Sequence, residues 1–247
     1  MTAARPGRGG ANARLRITDE IFEAFPDVLV GIVVARGIDN SGEPAGLHEE
    51  LRAAEAKAVE ALGGAPAPEH PRIAPWRQAY KRFGADPRRQ PSSVESLVRR
   101  VLKGDRIPRV SPLVDIYNAA SLSFLLPLGG EDLDRIAGDL LLTTAKEGEA
   151  SVLLLGEREE RPPRRGEVIY RDDVGAVCRR WNWREADRTK LTAETANAVI
   201  VAEGLPPVGR GLIEEAIALV AERTRRYCGG EMATAVLDRG HRAAPLG

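Results

Sequence analysis

The chain has 247 residues, with 36 Lys and Arg against 36 Asp and Glu, for a formal net charge of +0. That length is enough to bury a real core in one large domain or two small ones. The balance excludes a globally basic nucleic-acid binder, so any such partner must be met by a local patch. Cys178 and Cys228 are too few for a disulfide framework or a metal cluster, and point to a reduced, cytoplasmic protein without a metal or other cofactor.

In chain order, MTAARPGRGGANAR has arginines and small residues but no apolar core of a secretory signal. Residues 1–14 are therefore expected to be a disordered tail. No run approaches the ~18 apolar residues of a membrane span. VLVGIVVARG, 28–37, is β-branched and bounded by Pro26 and Gly37, and reads as a buried strand. Residues 45–64 are rich in Ala, Leu, Glu and Lys and predict a helix stopped by Gly63-Gly64. Residues 65–71 read as a linker and 75–84 as a short helix. Ser92 and Glu95 form a capping box ahead of a helix that ends at Gly104. IPRVSPLVDIYNAASLSFLLPLGG predicts a helix from about Leu113 to Leu125, with Asp115 as a candidate N-cap, followed by a short acidic segment. Beyond Leu140, LLLTTA, SVLLLG, GEVIYRDD, AVCRRWNW and ANAVIVAEG are candidate strands. Residues 210–230 carry a helical apolar stripe, and MATAVLD returns as a strand. Helices first and mostly strands later predict a single α+β domain over 15–240, with 241–247 as a C-terminal tail.

Three stretches could carry chemistry. Between residues 77 and 109 stand Arg77, Lys81, Arg82, Arg88, Arg89, Arg99, Arg100, Lys103, Arg106 and Arg109, opposed by only Asp86, Glu95 and Asp105. Such a local field suits a phosphate backbone, or is a solvated helical face. In VDIYNAASLSFLLPLGG, Asn118 offers both a donor and an acceptor, and Gly129-Gly130 allow close backbone approach; the polar groups there also fit a helix cap. In CRRWNWREADRTKLT, a strand would put Trp181 and Trp183 on one face and Arg180 and Asn182 on the other. The tryptophans are either core or the wall of a site, with Glu185 and Asp187 near them. His48, His70 and His241 neighbour no nucleophile, and no Walker loop, dinucleotide fingerprint or zinc spacing is present.

Taken in order, YKRFGADPRRQPSSVESLVRRVLKG, IPRVSPLVDIYNAASLSFLLPLGGEDLDRI and GEVIYRDDVGAVCRRWNWREADRTKLTAETANAVIVAE resemble the freestanding relatives of the editing domain of the bacterial phenylalanyl-tRNA synthetase beta subunit. The resemblance covers about residues 20–240 and lies in the order of the three segments. It implies an α+β fold with a β-sandwich-like layer flanked by helices, and hydrolysis of the ester between a wrong amino acid and its tRNA.

Val114, Asp115, Ile116, Tyr117 and Asn118 match the family's Val-Asp-Val-Thr-Asn run, with Tyr117 in place of the threonine. The family's pocket histidine is Gly129 here, and Asp187 falls nearest the glutamate that lines the family's amino-acid pocket, with Glu185 two residues away. The resemblance thus implies a catalytic group of Asn118, Gly129 and Gly130. It implies a pocket of Tyr117, Trp181, Asn182, Trp183, Glu185 and Asp187, and tRNA contacts from Arg77, Lys81, Arg82, Arg88, Arg89, Arg99 and Arg100. The resemblance extends to no aminoacylation module. The expected function is a trans-acting deacylase of misacylated tRNA that does not itself charge tRNA. The alternatives are a non-catalytic tRNA- or RNA-binding module and an amino-acid-like small-molecule binder on the same fold.

Overall fold

The computed structural model describes residues 12–247. In chain order its elements are β1 (Arg14–Ile17), α1 (Asp19–Ala24), β2 (Leu29–Arg36), α2 (Leu47–Leu62), α3 (Ala74–Arg82), α4 (Ser93–Leu102), α5 (Pro112–Phe124), β3 (Leu128–Asp132), β4 (Leu140–Thr144), β5 (Val168–Arg171), β6 (Ala176–Arg179), β7 (Arg184–Glu185), β8 (Asn197–Gly204), α6 (Arg210–Cys228), β9 (Glu231–Leu237) and β10 (Ala243–Pro245). No described helix is long and apolar enough to cross a membrane.

The strands form a four-stranded sheet, β3-β8-β2-β9, and a six-stranded sheet, β10-β1-β4-β5-β6-β7. β2 is an unbroken apolar run because both of its faces are covered. Val30, Ile32 and Val34 join Leu15, Leu140, Leu142, Val168 and Tyr170 of the other sheet in one core. Val33 and Ala35 join Leu113, Ile213 and Val220 of α5 and α6 in a second. The order is therefore sheet, sheet, helix layer, which agrees with the expected sandwich-like layer flanked by helices. A third cluster, including Leu51, Val94, Val98 and Leu122, fastens α2 and α4 onto α5. At Gly31 a Cβ would stand 2.5 Å from Ile213 Cγ2 and 2.6 Å from Ile217 Cγ2, so glycine is what lets α6 lie on the strand backbone.

Several expectations are corrected. The predicted 1–14 tail lies outside the described residues up to 11, while Arg14 already opens β1. The 241–247 segment is no tail: Ala243–Pro245 pairs antiparallel with β1, and Leu246 is buried. Its physical role is to cover backbone groups that β1 would otherwise present at a sheet edge. SVLLLG makes only isolated bridges, Val152 to Arg161 and Leu154 to Ala186, and its apolar residues pack without a ladder. Ser111, not Asp115, is the N-cap of α5. The Asp115 carboxylate instead accepts from the Val110 N–H at 3.1 Å and pairs with Arg109 at 3.5 Å. The capping box is half formed: Ser92 Oγ accepts from the Glu95 N–H at 3.4 Å. The Glu95 side chain, fully buried, takes Arg77 at 2.6 Å and Arg99 at 2.8 Å rather than reaching back to the cap.

Candidate active site

AVCRRWNW does not continue as a strand. β6 ends at Arg179, and the chain turns through Arg180 (φ 49°) and Trp181 (φ 65°) before β7. Two consecutive non-glycine residues in the left-handed region are costly and persist only where surrounding contacts fix them. The contacts here are specific. The Trp181 ring is fully buried, edge-on to Phe25 at 4.8 Å and to Trp76 at 5.0 Å. Its Nε1–H donates to Glu203 Oε1 at 2.7 Å. Asn182 Nδ2 donates to Glu203 Oε2 at 2.7 Å, and Tyr170 Oη donates to Glu203 Oε1 at 2.7 Å. Tyr80 Oη of α3 donates to Asn182 Oδ1 at 2.8 Å, and the Ser93 N–H donates to the Asn182 carbonyl at 3.0 Å. The turn therefore breaks the expected alternation: Trp181 and Asn182 both reach Glu203, and Trp183 packs only at the edge of the core. Trp183 is partly exposed, with the guanidinium groups of Arg180 and Arg184 4.3 Å and 4.7 Å from its ring centre.

Between the two sheets, at this turn, lies a cavity of about 220 Å³. Val199, Val201 and Glu203 line it from alternate positions of β8; Gly129 and Glu131 do so from β3, and Tyr170 and Cys178 from β5 and β6. Trp181 to Glu185 close one side, with Ser93 at the start of α4 and Leu128, Leu140 and Leu155 as apolar wall. A Cβ on Gly129 would stand 3.3 Å from Glu185 Oε1, so the glycine leaves that carboxylate room to face the cavity.

The electrostatics are unusual in one respect: three glutamates share a mostly apolar space. Burial pushes Glu203 up to about 7, against the downward pull of its hydrogen bonds from Tyr170, Asn182 and Trp181. Burial likewise pushes Glu185 up to about 7, with the Gly130 backbone N–H pulling the other way. Glu131 is held well above the usual carboxylate range by burial first and by the Glu185 charge second. The Cys178 thiol is also pushed well up by burial and by these acids, so it is a poor nucleophile.

The cavity brings together Gly129, Gly130, Trp181, Asn182, Trp183 and Glu185 of the expected set. Tyr117 is buried on α5, close enough that the charges of Glu185 and Glu131 add to the effect of burial in raising its phenol. Asn118, half-buried on the same helix, does not line the cavity. Asp187 is also outside it and pairs with Lys190 at 2.6 Å. The geometry of the turn makes Glu185, not Asp187, the facing acid. Gly129 and Gly130 are strand residues of β3, paired with Val201 and Ile200. Successive strand amides point in opposite directions, so the two glycines do not present both N–H groups to one ligand atom.

Of the basic residues, Arg77 and Arg99 are engaged with Glu95, and Arg82 donates to the Ala24 carbonyl at 2.8 Å. Lys81, Arg82, Arg88, Arg89 and Arg100 are exposed. Sequence reasoning missed Glu131, Glu203, Tyr170 and Ser93. Glu203 was visible as the one charged residue in the inward register Val199, Val201, Glu203 of a strand already predicted. Glu131 was not, because Gly-Gly before it reads as a turn.

A family model described as "B3/4 domain" matches residues 75–237. The chain is 31% identical over 131 residues to the phenylalanine–tRNA ligase beta subunit of Bordetella pertussis, across 53% of this chain and 15% of that protein. It is 29% identical over 126 residues to the same subunit of Leifsonia xyli subsp. xyli, across 51% of this chain and 14% of that protein. The chain thus spans about a seventh of the length of the curated relatives it matches. Among solved structures it aligns with an N-terminal fragment of the phenylalanyl-tRNA synthetase beta-subunit from Pyrococcus horikoshii, with TM-score 0.47 and 12% identity over 93% of this chain and 52% of that one.

Proposed function

Because the chain belongs to the B3/4 domain family, we propose that it is a deacylase acting in trans on misacylated tRNA, with the amino acid seated in the cavity between the two sheets. The observation that carries this reading is the cavity itself. Every residue that lines it falls within the matched span of 75–237, and it combines an apolar wall with buried acids.

The chemistry asks little of a strong base. An aminoacyl ester is already activated, and holding it beside a positioned water supplies much of the rate. Glu185, the acid that faces the cavity, binds the α-ammonium of the amino acid. The exposed Lys81, Arg82, Arg88, Arg89 and Arg100 supply the phosphate contacts. Arg77 and Arg99 support that surface through Glu95 instead of touching RNA.

The test incubates the purified chain with a panel of mischarged tRNAs and follows release of the amino acid. Release from at least one pair, abolished in Glu185→Gln, is expected. Release from none, with the protein folded, rejects the reading.

A further inference from the structure

Of the three acids in the cavity, only Glu203 has its oxygens fully engaged, by Tyr170, Trp181 and Asn182. It organises the turn. Glu131 differs: it is 7% exposed, lines the cavity, and its Oε2 is buried with no hydrogen-bond partner. The Thr189 hydroxyl lies near enough to pull the Glu131 carboxyl down somewhat, but it does not reach hydrogen-bond geometry with Oε2. Ser93 Oγ, which also lines the cavity, is another buried polar atom without a partner. Leaving such groups unmet is costly, more so for a charge. The one cation lining the cavity, Arg184, is drawn away by Glu157 at 3.2 Å and by the Trp183 ring at 4.7 Å.

We propose that Glu131 and Glu185 are the seat of the ligand's primary ammonium group, with Ser93 Oγ as a neutral partner, and that the cavity takes α-amino acyl groups only when their carboxyl is esterified or amidated. This rests on the reading of the cavity as the amino-acid site. An ammonium supplies the donors that Glu131 lacks, and one cation between two nearby carboxylates relieves their mutual repulsion. A free α-carboxylate would enter a space that already holds three acids and no available cation, so the free amino acid is disfavoured. The site thereby separates the ester from the hydrolysis product.

The test uses the full chain and three matched probes: carboxamides of alanine, valine, leucine and phenylalanine, the four free amino acids, and the four N-acetyl carboxamides. Thermal unfolding and titration calorimetry read binding. At least one carboxamide is expected to raise Tm, with its free acid at least tenfold weaker and its N-acetyl form inert. Glu131→Gln and Glu185→Gln, each checked for folding by circular dichroism, are expected to weaken the carboxamide at least tenfold, and Asp187→Asn to leave it unchanged. The proposal is overturned if no carboxamide binds, if the free acid or the N-acetyl form binds as well, or if both glutamine variants bind like the parent. Carboxamide binding without deacylation of any tRNA keeps the seat and rejects the deacylase. Equal deacylation of N-acetylated and free-amine aminoacyl-tRNA keeps the deacylase and rejects the seat.

Discussion

Glu203 is 1% exposed and receives three donors, yet burial still outweighs them and pushes its carboxyl up to about 7. In the folded chain it holds a proton over a range where the unfolded chain, near its usual 4.5, does not. Between those values the folded state binds more protons, so stability falls as pH rises from about 4.5 through about 7. The full span corresponds to about 3 kcal/mol for this group. Glu185 contributes with the same sign. Glu203→Gln removes the charge and keeps the shape. With the Asn182 amide reversed, its side chain still meets Tyr170, Trp181 and Asn182. Urea unfolding of this variant at pH 5 and pH 8 is expected to show a smaller difference than the parent, with the gain appearing at pH 8. A Glu203→Gln variant that loses stability equally at both pH values would show that the group is charged throughout.

At the scale of elements, the site depends on two close approaches. One is α6 against β2, where Gly31 meets Ile213 and Ile217 with no room for a methyl group. Gly31→Ala is expected to cost about 1–3 kcal/mol, read as a fall in Tm, because the helix must shift off the strand. The other is the β6–β7 turn, whose two left-handed residues are held in place by contacts from α3, β5 and β8. AVCRRWNW reads as a strand because a short apolar run opens it and two tryptophans follow at strand spacing, and β6 is one as far as Arg179, buried on both faces. Beyond Arg179 the pattern fails, because the buried carboxylate of a distant strand captures Trp181 Nε1 and Asn182 Nδ2. No local signal encodes a partner that lies 22 and 21 residues away.

For the whole molecule, the ten basic residues between 77 and 109 divide by function once the fold is formed. Arg77 and Arg99 neutralise the buried Glu95. Removing Arg77, the more buried of the two, leaves the buried acid with one partner instead of two and destabilises the fold. Arg88 and Arg89 are exposed on the loop before α4. The deacylase reading therefore predicts that replacing Arg88 and Arg89 by glutamine weakens tRNA binding and makes it less salt-dependent, by about one unit of slope for each phosphate no longer neutralised. Arg77→Gln is expected to lower Tm first. Filter binding at several salt concentrations, beside thermal unfolding, separates these outcomes. An unchanged slope in the Arg88, Arg89 variant would remove this surface from the RNA interface.

The amino-acid sequence by itself determined the α+β class, the principal helices and most strands, and the region in which the site lies, because periodicity, caps and glycine stops act over a few residues. The order of three segments was enough to indicate the family, and Trp181, Asn182, Trp183 and Glu185 were legible as pocket candidates. Only the tertiary structure decided that Glu185 and not Asp187 faces the cavity, that Asn118 does not, and that Glu131 and Glu203 do. Those outcomes depend on which strand edges meet and on which buried charge finds a donor. Both are set by contacts between residues far apart in the chain, after the two sheets have closed on each other.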